Sequence, residues 1–106
     1  MTTQTFTFNE FKEEEGGWYD RLLLFRELQF SFSALQKRDS LTPQQILEAM
    51  TKNMEVQSKI EAIVFGRCNE PEELRDYLNT LPHSRLWPFI METATKIGVF
   101  NPVNPN

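Results

Sequence analysis

A chain of 106 residues, 40% of them hydrophobic and 25% charged, has the length and composition of one globular domain able to bury a core of its own. Lys and Arg total 11 against 15 Asp and Glu, and the resulting formal charge of -4 works against neutralising many phosphates, so nucleic acid is not an expected partner. No apolar run approaches the roughly 18 residues that cross a bilayer, Met1 to Thr5 lacks the basic and apolar stretches of a signal peptide, and the single Cys68 has no cysteine to pair with; together these predict a cytoplasmic protein without membrane contact.

Taken in chain order, residues 3–8 alternate polar and apolar, with Phe6 and Phe8 on one side if extended, the period of a half-buried strand. Asn9 can cap a short turn through the acidic stretch that follows, and Gly16-Gly17 ends it, so residues 1–17 read as an N-terminal extended arm. A first long helix is expected over 18–37, because Trp18, Leu22, Phe25, Leu28, Phe32 and Leu35 recur at spacings of three and four. Leu23 and Phe30, seven apart beside Tyr19, form a second apolar line. That surface is wider than one neighbouring helix covers, which places this helix centrally or at an interface.

The clearest local signal comes next: Thr42 as a cap, Pro43 in the first helical position and Gln45 to complete a capping box. The helix it starts is expected over 43–65, carrying Ile46, Leu47, Met50, Met54, Ile60, Ile63 and Val64, with a kink or break near Asn53 where the apolar face drifts. A third helix over 70–80 follows from Asn69 and Glu72 as a capping pair and from Pro71 in the first turn, and Pro82 ends it. A fourth over 85–97 carries Leu86, Phe89, Ile90, Ala94 and Ile97, and Gly98 is placed to terminate it. The fold class is therefore all-α: an irregular bundle of about four helices over 18–100, preceded by the arm and followed by an irregular tail over 101–106.

The residues that usually carry chemistry are sparse. His83 is the only histidine and follows Pro82 at a helix start, so a catalytic triad would need distant partners. Cys68 and His83 cannot supply zinc-ligand spacing, and Gly16-Gly17 lacks the spacing and lysine of a phosphate-binding loop. No catalytic residue, metal site or cofactor is expected. Glu13, Glu14 and Glu15 are read as a solvated helix end, and Met50 and Met54, one turn apart, as core filling before an adaptable binding strip. Nine Phe, two Trp and two Tyr exceed what so few layers should need, and some should lie at a subunit or partner interface. The surface expected to bind another protein is drawn from Trp87, Phe89, Met91 and Phe100, and self-association is expected through the Phe6 arm, whose backbone groups an isolated strand leaves unpaired.

Three segments, Leu41-Thr42-Pro43-Gln44-Gln45-Ile46-Leu47, then Glu70-Pro71-Glu72-Glu73-Leu74 running to Leu78-Asn79-Thr80-Leu81-Pro82, and the last helix through Leu86, Phe89, Ile90 and Ile97 to Gly98, resemble in pattern the tail assembly chaperones of long-tailed bacteriophages. The resemblance covers Leu41 to Phe100 and leaves out the arm and first helix. It implies a helical protein that acts on the tape-measure protein in the host cytoplasm by binding exposed hydrophobic helices, and that self-associates. The charge of -4 and the acidic run support a different expectation, a small acidic regulator or inhibitor that blocks a nucleic-acid-binding protein.

Overall fold

The computed structural model describes residues 5–12 and 14–100. Four α-helices, Trp18–Gln36 (α1), Pro43–Arg67 (α2), Pro71–Leu78 (α3) and His83–Lys96 (α4), follow one another with a 3-10 turn, Arg38–Ser40, between the first two. The all-α class and the number of helices agree with the periodicity of the sequence. The tail over 101–106 and Glu13 lie outside the described residues.

α1 and α2 pack against each other as an antiparallel pair, and α2 also carries α4 and, over a shorter length, α3. The start of α2 is built as its sequence dictates. Gln45 N–H donates to Thr42 Oγ1 (3.2 Å) and Thr42 N–H donates to Gln45 Oε1 (2.9 Å), a complete capping box with Pro43 in the first turn. At the other end of the chain α4 stops in a Schellman motif: Gly98 takes φ +90°, its N–H bonds Thr95 O, and Val99 N–H reaches back to Ala94 O (3.0 Å).

The core is asymmetric. Val56, Ile60 and Val64 of α2 meet Leu24 and Leu28 of α1, Leu74 of α3, and Ile90, Ala94, Ile97 and Val99 at the end of the chain. Every buried residue of α2 lies in its second half. The first half of α2 and the facing end of α1 therefore extend beyond the core as a helical hairpin, and the molecule measures 45 × 36 × 21 Å with a radius of gyration of 15.5 Å, longer than the roughly 13 Å of a compact chain this size.

Two expectations about helix faces and one about helix shape need correction. The buried face of α1 is Arg21, Leu24, Leu28 and Ser31, whereas Trp18 and Phe32 of the expected stripe are exposed. Met50 and Met54 stand in solvent with Leu47 and do not fill the core. α2 runs unbroken through Asn53. Instead of breaking the helix, Asn53 donates through Nδ2 to Ser31 Oγ (3.1 Å) and accepts from Gln57 Nε2 (2.7 Å), while Ser31 Oγ donates to Leu28 O (3.1 Å). A polar residue in the apolar seam is tolerated because its hydrogen bonds are made there.

Candidate protein-binding surface

The arm must be placed first, because it decides which aromatic groups remain free. After Asn9 the described residues show no helix, only a turn in which Glu15 N–H donates to Lys12 O (3.0 Å); before it the arm crosses the ends of α2 and α4, with a single antiparallel bridge between Phe8 and Cys68. Asn69 N–H donates to Thr7 O (2.9 Å), Asn9 N–H to Arg67 O (2.8 Å) and Phe11 N–H to Ile97 O (2.9 Å). The backbone groups expected to seek a second copy thus find partners within the chain. Asn69 is not the cap of α3. That place is held by Glu70, and the Asn69 side chain donates to Thr7 Oγ1 (3.0 Å).

Phe11 is the arm's anchor. Its ring lies between two guanidinium groups, Arg67 at 3.6 Å and Arg21 at 3.9 Å from the centroid. Arg67 also donates to Asn9 O and pairs with Glu15. Arg21 is only 5% exposed; one of its terminal nitrogens donates to Gly16 O (3.1 Å), and its Nε has no partner among the described residues. Burial pulls the Arg21 guanidinium below its ordinary value, against the pull of Glu15. Glu15, of the acidic run, is therefore engaged inside the molecule and is not part of a free acidic surface.

Both carboxylates that fasten the arm titrate low. The hydrogen bond from Arg67, then that from Lys12 N–H, holds Glu15 below 4.5, and the hydroxyl and N–H of Thr7 do the same for Glu70. A carboxylate whose folded value is depressed stabilises the fold fully above its unfolded value, and the contribution is lost as the pH falls through the folded one. Arm docking should accordingly be complete above about pH 4.5 and weaken below it. Amide exchange followed by NMR should show Thr7 and Asn9 losing protection on acidification before Ile60 does; simultaneous loss would mean that these contacts do not govern the arm.

The residues expected to bind a partner separate into two groups. Trp87 and Met91 of α4 line a groove of about 600 Å³ together with Phe32 and Leu35 of α1, and the amides of Gln29, Asn53 and Gln57 edge it. Phe89 and Phe100 are elsewhere. Phe89 meets Tyr77 edge to face, Tyr77 in turn meets Phe6 of the arm, with ring centroids 5.4 and 5.5 Å apart, and Phe100 packs on Phe25 at 5.4 Å. All four are partly buried against the core.

Besides Trp18 and Tyr19 at the start of α1, the strongly exposed apolar residues include Phe30 and Phe32 on α1 and Leu47, Met50 and Met54 on α2. Three of them carried a signal in the sequence: Phe30 belongs to the second line on the first helix, and the two methionines were one turn apart. Phe32 belongs to the expected stripe of the first helix, whose apolar residues nearly encircle it, so spacing alone does not separate its buried side from its exposed one.

His83 is exposed at the first turn of α4, and Cys68 is buried, its sulfur accepting from Glu70 N–H (3.4 Å) and its thiol pushed up chiefly by burial. Among the described residues no three His, Cys, Asp or Glu side chains stand together as metal ligands, and no described helix is long and apolar enough to cross a membrane. Comparison with protein-family models, curated proteins and solved structures finds no match to this chain, which leaves the surface itself to argue for function.

Proposed function

We propose that this chain is a non-catalytic protein-binding protein that seats an apolar or amphipathic helix of another protein in the groove between Phe32, Leu35, Trp87 and Met91. The observation that carries the reading is Phe32. It is 56% exposed at the rim of a groove whose walls are aromatic, aliphatic and thioether and whose edges carry amides, the chemistry of a helix-binding cleft with an apolar centre and a polar rim. Methionine suits such a wall because its thioether repacks around different side chains. In its most specific form the proposal is a phage tail assembly chaperone that shields helices of the tape-measure protein in the host cytoplasm.

The test is co-expression with the longest helical protein encoded in its gene neighbourhood, followed by a pull-down and a solubility assay. Phe32→Ser should weaken capture by more than about 1 kcal/mol, the scale of an interface residue that matters, and leave the helical signal and melting profile near wild type. Trp87→Ala should weaken capture and also lower stability, because Trp87 packs against the core as well as lining the groove. Equal capture by Phe32→Ser and wild type would reject this groove as the binding site.

A further inference from the structure

On another side of the same hairpin lies a second groove, of about 660 Å³, that the proposed helix site does not use. Its floor is made of small residues, Ser31 and Ala34 on α1 and Ala49 on α2, with Leu41 at the connection. Phe30 stands at its edge with 76% of its surface exposed. A large projecting ring beside a hollow floored by small side chains is a shape that can complement a copy of itself.

The charges around the groove carry the argument from shape to occupant. Arg26 and Glu27 come from α1, Glu48 and Lys52 from α2, so the rim is balanced in sign although the chain as a whole is at -4. Lys52 and Glu27 already pair across the helices at 3.5 Å. Arg26 and Glu48 have no ion-pair partner among the described residues, Glu48 accepting only a neutral hydrogen bond from Gln44 Nε2 (3.3 Å), and they sit on opposite helices with opposite charge. In a two-fold interface residue i meets j of the other copy and j meets i, so one unpaired cation and one unpaired anion on a single patch become two ion pairs at once. Elsewhere the excess negative charge opposes the approach of two copies, and this patch is one on which they meet without that penalty.

We infer that the Phe30 groove is a self-complementary interface, occupied by a second copy of this chain whose Phe30 enters the small-residue floor and whose Glu48 and Arg26 pair with Arg26 and Glu48 of the first. The interface uses neither the arm nor the Phe32 groove, so pairing leaves the proposed helix site open.

Sedimentation equilibrium of the full chain at tens to hundreds of micromolar tests this directly. Wild type should sediment at twice the 12.5 kDa chain mass. Phe30→Asp, at a position whose exposure leaves the fold intact by circular dichroism, should return it to the monomer. Arg26→Glu and Glu48→Arg should each weaken association by about tenfold or more, since each sets like charges against one another, and the double variant should recover most of the loss. Phe32→Ser should not change the mass, which separates this result from the fate of the helix-binding proposal. A wild-type protein that stays monomeric throughout the range overturns the inference. So does a dimer indifferent to Phe30→Asp, or charge reversals that the double variant fails to rescue.

Discussion

Ile60→Ala is expected to cost about 2–5 kcal/mol of folding stability, the range for deleting most of a fully enclosed aliphatic side chain and leaving a cavity behind. Ile60 is 0% exposed, and it belongs to the part of α2 that packs against both α1 and α4. Its neighbours one turn away on either side, Val56 and Val64, are just as enclosed, so little slack exists for collapse into the space. Against a total of roughly 5–15 kcal/mol for a domain, such a loss is large enough to leave part of the population unfolded. Urea unfolding should show a lower midpoint at nearly constant slope, the signature of changed stability rather than a changed unfolded state. Met54→Ala, on the same helix but in solvent, should stay within about 0.5 kcal/mol of wild type. An unchanged midpoint for Ile60→Ala would place the core elsewhere.

The second large effect is expected at Phe11. Phe11→Ala removes a ring that two guanidinium groups cover and that packs against the core, and it should cost about 2 kcal/mol, less than the 3–5 of a fully enclosed phenylalanine because Phe11 is only partly buried. The loss has a second part. Without the ring, Arg21 keeps its desolvated Nε and loses the face that compensates it, so the variant exposes the cost of burying a cation. Phe11→Leu retains apolar bulk but not the negative ring face, and should fall between the two, about 1 kcal/mol below wild type. Urea midpoints ordered wild type, Leu, Ala, with amide protection at Asn9 and Thr7 falling in the same order, would establish Phe11 as the arm's anchor. Equal stability of Leu and wild type would reduce it to ordinary apolar packing.

What could be read from the sequence was what local chemistry decides. The Thr42, Pro43, Gln45 start and the Gly98 stop each satisfy backbone groups within a few residues, so their signatures are complete in a short window, and the helix limits follow from them. The face of α1 was not legible, because Trp18, Tyr19, Leu22, Leu23, Phe25, Phe30 and Phe32 supply apolar side chains around most of its circumference and periodicity alone cannot choose among them. The choice falls to an arginine: Arg21 turns inward because Phe11, ten residues earlier and not on the helix, offers its guanidinium a ring. Asn69 and Asn53 misled for a related reason. Each has a side chain that competes with the backbone locally, and in each the hydrogen bond went to a distant segment, Thr7 for one and Ser31 for the other. The helix-binding groove was half visible, as Trp87 and Met91 stand one turn apart on α4; its other wall, Phe32 and Leu35, depends on how α1 is rotated.

The extended arm also has a consequence for the order in which this chain can be completed. Asn9 waits 58 residues for Arg67, whose carbonyl and guanidinium hold it, and Phe11 waits longer still, for the carbonyl of Ile97 beyond the end of α4. The α1–α2 hairpin needs only neighbours close in sequence and can close by itself, which is the fast kind of contact. A segment made before the helices therefore finds its partners in two stages, first at residues 67–70 and then at Ile97. Arg21 and Arg67 can cover the Phe11 ring once α2 is made, and only the bond from Phe11 N–H to Ile97 O waits for α4 to be complete.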